Sequence, residues 1–297
     1  MSARLALVAL ATEGALGWPD RLPHPVQAIG GLLDRLDTRL NRPPFRRAKG
    51  VAALALTAGA AAGTAAALGR IGPPAKAALA SAGLAQRSLW RHVRAVERAL
   101  ARGDIARART EVSKIVGRDT AMLDASGIAK AAIESLAESF NDGVVAPALW
   151  LAIGGLPGLW AYKAVKTADS MIGHRTPRHA RFGWAAARTD DVMNLMPARI
   201  AGLLIVAAAG GRGLPVMLRD AGHHASPNAG WPEAAMAGAL GRRLGGPVSY
   251  DGERHDRRWL GDGGEPAGAA EVERALRLYA RATALLWLLI GMRAWRR

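Results

Sequence analysis

The sequence predicts an all-α, polytopic integral membrane protein, with about four or five transmembrane helices joined by amphipathic helices on the cytoplasmic side. Three observations predict it. Half of the 297 residues are hydrophobic but only 5% are aromatic, so the apolar mass is carried by small and aliphatic side chains. A positive mean hydropathy of +0.06 coexists with a net charge of +16, which requires the charges to be segregated from the apolar residues. They are segregated along the chain, and no period-two alternation competes with the helical patterns.

The first apolar run, within residues 5–18, is interrupted by Glu13. It has no cleavage site and leads into a Pro-rich stretch, so it reads as a retained membrane segment and not a signal peptide. Residues 50–69 and 143–162 carry no charge and flank themselves with Lys49, Arg70 and Lys163. Each has the roughly 20 apolar residues that span a hydrocarbon core, although residues 50–69 also read as a buried Ala-rich core helix. Residues 192–210, interrupted by Arg199, and 276–292, interrupted by Arg277 and Arg281, are further candidates. Trp18, Trp150, Trp160, Trp287 and Trp295 fall near segment ends, as an interfacial belt would place them.

Between these runs, residues 86–102 space Leu89, Val93, Val96 and Leu100 by three and four, giving an amphipathic helix with an arginine face. Asp104 can cap a second helix running to about Gly117, and a third runs from about Thr120 to Ser139. Residues 211–232 and 241–268, rich in Gly and Pro, read as loops, with a helix beginning near Pro232. The organisation is one membrane-embedded domain over 1–297, with a polar helical insert at about 86–140 and a polar loop region at about 211–275. Positive charge places the 70–142 stretch in the cytoplasm.

Several classes are excluded. Without cysteine there is no disulfide scaffold, thiolate metal site or Cys nucleophile. The apolar content excludes a disordered polycation. No nucleic acid is expected as a partner, because aromatic residues are not interleaved with the arginines as stacking platforms. The charge instead suits anionic lipid or phosphorylated substrates, with the bilayer itself as a partner.

Three clusters carry chemistry. In KAAIESLAESFNDG, Lys130, Glu134 and Glu138 recur every four residues, with Asp142 beyond. That face suits Mg²⁺ bound with substrate phosphates, and equally a solvated acidic face bridged by Lys130. The second cluster, residues 161–202, holds Lys163, Lys166, Asp169, Ser170, Asp190, Asp191, Asn194 and Arg199. Arg199 within an apolar run reads as functional or as an interfacial arginine snorkelling to water. The third, residues 223–247, sets Ser226, Asn228, Trp231 and Glu233 about a helix start suited to phosphate. The adjacent His223 and His224 lack the spacing that lets two rings converge on a metal.

Five stretches in order, HPVQAIG, ESLAESFNDGVVAP, AYKAVKTADSMIGHRTPR, FGWAAARTDDVMNLMPARI and SPNAGWPEAAMAGALG, resemble the CobD/CbiB family of cobalamin biosynthesis, the adenosylcobinamide-phosphate synthases. The resemblance runs from about residue 5 to the C-terminus. It implies an inner-membrane, multi-pass enzyme that condenses adenosylcobyric acid with aminopropanol, or its O-phosphate, using ATP and Mg²⁺. A homo-oligomer or an association with other cobalamin-pathway proteins is compatible with it. The positions it singles out are His24, Glu134, Glu138, Asp142, Lys163, Asp169, Ser170, Asp190, Asp191, Asn194, Arg199, Ser226, Asn228, Trp231 and Glu233. The chemistry then assigns Glu134, Glu138 and Asp142 to Mg²⁺, Lys163 and Arg199 to phosphates, and Asp190 or Asp191 to deprotonating the amine.

Two positions depart from the family pattern: Ser139 and Lys166 each stand where Asn is usual. Lys166 adds positive charge near Lys163. No Walker A pattern occurs, so ATP is not bound by a P-loop. A second reading is a transporter or sensor that binds a corrinoid or other anion without chemistry, with a broken helix at Gly154, Gly155 and Pro157 at its site.

Overall fold

A computed structural model describes residues 2–19, 21–174, 176–250 and 252–295. Among them are twelve α-helices: α1 (Ser2–Leu16), α2 (Pro25–Leu40), α3 (Arg46–Leu68), α4 (Pro73–Ala82), α5 (Gln86–Ala101), α6 (Ile105–Ser113), α7 (Ala125–Phe140), α8 (Ala146–Ile172), α9 (Trp184–Ala208), α10 (Leu214–Asp220), α11 (Gly230–Leu240) and α12 (Ala269–Trp295). The helices start where local chemistry says they should. His24 caps α2, its Nδ1 accepting from the Val26 N–H at 3.2 Å, with Pro25 in the first turn. Asp104 caps α6 by accepting from Arg107 N–H at 2.9 Å, as the sequence predicts.

Four helical stretches are long and apolar enough to cross a membrane: Arg46–Leu68, Ala125–Ile172, Trp184–Ala208 and Ala269–Trp295. The protein is thus an all-α polytopic membrane protein. The N-terminal candidate does not join them, because the 15 residues of α1 rise only about 22 Å against a core of about 30 Å. Within Ala125–Ile172, a π-helical turn at Asn141–Val145 separates α7 from α8. The break expected at Gly154, Gly155 and Pro157 is present. Gly155 lies at φ 62°, ψ −156° inside α8, a left-handed backbone that glycine adopts without strain, and Pro157 withholds an N–H from the next turn.

The chain divides into two compact units. The first comprises Met1–Ala85, Ala146–Asn194 and Leu289–Arg297. Here α8 packs against α1, α2, α3 and α4. Its core joins Leu33 of α2, Ala53 and Leu54 of α3, Val165, Ala168 and Ile172 of α8, and Phe182, Ala185 and Ala186. Close approach depends on Gly50, where an added Cβ would lie 1.9 Å from the Phe182 carbonyl oxygen.

The second unit comprises Gln86–Val145 and Leu195–Leu288. In α5, the residues expected to face inward do so: Leu89, Val93 and Val96 are buried, and Leu100 packs against a core of Val96, Ala99, Ala108, Val112, Ile128, Ala131 and Ala132. The third insert helix begins at Ala125, later than expected, because Asp124 caps it through the Gly127 N–H at 2.7 Å. The region expected to be loop between 211 and 232 contains the two-turn helix α10, led by Gly213 and Pro215, too short to show an apolar period. Likewise 241–268 holds two antiparallel pairs, β1 (Leu244–Gly245) with β4 (Trp259–Leu260), and β2 (Val248–Tyr250) with β3 (Glu253–His255). Strands of two or three residues carry no alternation to detect, although the Asp-Gly pair at 251–252 is a hairpin signal.

Gly50→Ala should destabilise the detergent-purified protein by about 1–3 kcal/mol through overpacking. Gly59→Ala in the same helix, where an added Cβ meets nothing within 4 Å, should leave the thermal midpoint unchanged or slightly raised. A melting comparison of the two checks this, and equal midpoints would contradict the packing account.

Candidate functional site

A cavity of about 420 Å³ lies in the second unit. Its wall is built first from α7, whose 3.6-residue turn stacks Glu134 and Glu138 on one face. Glu134 is buried and Glu138 is exposed on the cavity wall. The turn after α6 brings Arg118, whose Nη2 donates to Glu134 Oε2 at 2.5 Å. From β1, the Gly245 N–H donates to the other oxygen, Oε1, at 2.5 Å. Lys130 donates to the Gly245 carbonyl at 2.7 Å and lies 4.7 Å from the ring of Trp259. Both oxygens of Glu134 are therefore engaged by protein donors.

The opposite wall comes from the start of α11 and the loop before it. Glu233 is only 4% exposed. Burial, then the charges of Glu134 and Glu138, hold its carboxyl well above the ordinary value near 4.5, against the pull of Arg118 and Arg257. His224 Nε2 lies 3.6 Å from Glu233 Oε1. Its Nδ1 accepts from the Ser226 N–H at 3.0 Å, which leaves the ring proton on Nε2, facing Glu233. Burial, then the charge of Arg257, lower the His224 pKa and favour the neutral ring. Arg257 completes the wall by donating to the Tyr250 hydroxyl at 3.0 Å, and Arg258 also lines the cavity. Carboxylates and guanidiniums thus face one space.

The other expected residues sort by unit. Also in the second unit, Arg199 Nη1 donates to Leu195 O at 2.8 Å and to Asn228 Oδ1 at 3.2 Å, with its guanidinium 4.5 Å from the Trp231 ring. Ser226 Oγ accepts from the Asn228 and Ala229 N–H groups at 3.2 and 3.3 Å, folding the turn that starts α11. Asp142 lies in the π-helical turn, its Oδ1 accepting from Asn141 Nδ2 at 2.7 Å, and does not line the cavity.

In the first unit, Lys166 of α8 donates to Asp190 Oδ2 at 3.1 Å and lies 3.7 Å from Asp169. Asn194 Oδ1 accepts from Tyr162 at 3.1 Å, while its Nδ2 donates to the Asp190 carbonyl. Asp191 pairs with Arg188 at 3.5 Å, and Ser170 is exposed on α8. His24, besides capping α2, has its pKa lowered by burial and then by the charge of Lys163.

The expected grouping of Glu134, Glu138 and Asp142 is therefore not what the fold assembles. Among the described residues, no group of three or more His, Asp or Glu is placed to hold a metal ion. The carboxylates that share the cavity are Glu134, Glu138 and Glu233, from two of the expected clusters, and the exposed Asp256. Arg118, Tyr250, Arg257 and Arg258 escape sequence reasoning, and His224 is weighed there only as a metal ligand and set aside. They lie in irregular segments or, for Tyr250, in a three-residue strand, where no period marks them, and only the density of charge in ERHDRRW hints at Arg257. The extra charge of Lys166 has a partner in Asp190, which spacing alone does not reveal.

Comparison with known proteins supplies the context. Residues 6–279 match the family model described as CobD/Cbib protein. The chain is 46% identical to "Cobalamin biosynthesis protein CobD" of Rhodobacter capsulatus, covering 98% of this chain and 96% of the relative. Proteins of the same name from Rhizobium meliloti and Geobacter metallireducens are 45% and 43% identical, over 96% and 97% of this chain and 96% and 95% of theirs. No solved structure matches.

Because the Glu233 carboxyl binds its proton more tightly in the fold than in the unfolded chain, stability should fall as pH rises above the ordinary value near 4.5. Glu233→Gln removes that dependence. In EDTA, its thermal midpoint should gain on the wild type progressively as pH rises, and a constant offset between the two would contradict the assignment.

Proposed function

Because this chain belongs to the CobD/CbiB family, we propose that it catalyses an amide-forming step of cobalamin biosynthesis, joining adenosylcobyric acid to (R)-1-aminopropan-2-ol or its O-phosphate with consumption of ATP. The observation that carries the reading is the cavity in which Glu138 and Glu233 face Arg118, Arg257 and Arg258. At about 420 Å³ it suits the phosphates of one small substrate and not a corrin ring, so the corrinoid presents only its propionate arm.

An amide cannot form from a carboxylate in water without a leaving group. A propionate oxygen attacks the γ-phosphorus of ATP, ADP departs, and the amine nitrogen then attacks the acyl carbon as phosphate leaves and the nitrogen gives up a proton. The guanidiniums of Arg118, Arg257 and Arg258 offset the phosphate charge, with Arg199 of the same unit in the same role. The departing phosphate takes the proton from the amine. Mg²⁺ is held by few protein carboxylates together with substrate phosphates and water. A pair such as Glu138 and Glu233, whose mutual repulsion a cation relieves, fits that demand. When bound, the ion supplies further neutralisation of phosphate charge. Glu134, already engaged by Arg118 and Gly245, anchors the wall.

The break at Gly155 in α8 favours the second reading, corrinoid or anion binding without chemistry. Purified protein given adenosylcobyric acid, aminopropanol phosphate, ATP and Mg²⁺ separates the two by corrinoid mass. A gain equal to the amine minus water, requiring both ATP and amine, supports the ligase; corrinoid binding without gain supports the alternative. Arg257→Gln should lower kcat/KM by about 10²-fold or more, and full activity in that variant would remove the cavity from the mechanism.

A further inference from the structure

A second polar cavity, of about 580 Å³, lies elsewhere in the second unit. Four arginines line it, Arg212, Arg274, Arg277 and Arg281, with no acidic side chain in its wall. Its apolar part comes from Ala207 and Ala208 at the end of α9, Leu240 at the end of α11, and Leu278 of α12. Neither the family resemblance nor the proposed ligation uses any of these residues.

The placement of the arginines along the chain is informative. Residues 200–211 are uncharged and end at Arg212; residues 282–292 are uncharged and begin after Arg281. Both runs belong to helices of membrane-crossing length. The cavity brings together the end of one run and the start of the other, so its arginines mark one membrane surface. On α12, Arg274, Arg277 and Arg281 recur at three and four residues and share a face. Arg212 is held beside them by a turn in which Gly210, Gly211 and Gly213 all have positive φ.

Two of the four have partners. Arg277 lies 3.0 Å from Glu273, both more than 40% exposed, and Arg274 donates to the Leu240 carbonyl at 2.6 Å and lies 3.9 Å from Glu271. Such an exposed pair contributes little. Among the described residues Arg212 and Arg281 have no ion-pair partner. The cavity therefore keeps a surplus of guanidinium, the group suited to bidentate binding of phosphate. Leu203 on α9 and Leu288 on α12 are exposed on the apolar side of this ring, at 51% and 59%.

We infer that this cavity binds the phosphate of an acidic phospholipid, with Arg212 and Arg281 as its main contacts and the acyl chains lying along α9 and α12. A soluble phosphate ester offers the same headgroup chemistry, but it would leave the apolar lining and the exposed leucines without a role.

The test uses the full chain in detergent, titrated with phosphatidylglycerol or phosphatidylcholine and followed by native mass spectrometry. Phosphatidylglycerol should bind more tightly. Arg212→Gln with Arg281→Gln should weaken it by about 30-fold, at about fivefold per arginine, while the corresponding double Lys variant keeps most of the preference and circular dichroism is unchanged in both. Equal binding by wild type and the double Gln variant would overturn the proposal. So would glycerol 3-phosphate binding as tightly as the lipid, which assigns the arginines to a soluble ligand.

Discussion

A carboxylate removed from water costs several kcal/mol unless a cation or several N–H groups lie within reach, and that constraint organises the second unit. Glu134 sits in the middle of α7 at 3% exposure, where an unpaired charge would unfold the helix packing around it. Arg118 and the Gly245 N–H meet it from two segments far apart in sequence. One side chain thereby ties α7 to the turn after α6 and to the β1 strand, and Lys130 ties the same strand back to α7. The cavity exists because these ties hold its walls apart while Glu138 and Glu233 remain facing it. Glu233 shows the cost, since its carboxyl is pushed well above the ordinary range by burial and by its two neighbours. A carboxyl held in a cavity far from its ordinary titration range is a mark of function.

The first unit solves the same problem with another pair. Asp190 is buried on α9 and receives Lys166 from α8, and Tyr162 and Asn194 extend the polar contacts beside it. Lys166, read from the sequence as a departure from the family pattern, is thus matched to a carboxylate on the neighbouring helix. Ser139, the other departure, is half-buried and does not line the cavity. Neither change removes a group that the cavity presents.

What was legible in the sequence is what local chemistry determines. Uncharged length marked the membrane-crossing helices, Asp104 marked a helix start, and Gly155 with Pro157 marked the break in α8. The resemblance marked Glu138, Glu233 and Arg199 as important, but not which of them share a cavity. Arg118 reaches Glu134 across 16 positions and Gly245 across 111, separations over which no periodicity operates. The β pairs between 244 and 260 were hidden because each strand is too short to alternate. The expected metal trio followed helical spacing on one element, whereas the fold turns Asp142 into a π-helical turn and brings Glu233 from another.

The central claim is that the cavity keeps costly carboxylates in order to hold a cation with substrate phosphates. Mn²⁺, titrated into detergent-purified protein with ATP and followed by electron paramagnetic resonance, tests it most directly. The account predicts that bound Mn²⁺ is weakened about tenfold or more by Glu138→Gln and by Glu233→Gln, with a smaller effect from Asp142→Asn. Binding as tight as wild type in both glutamine variants would contradict it.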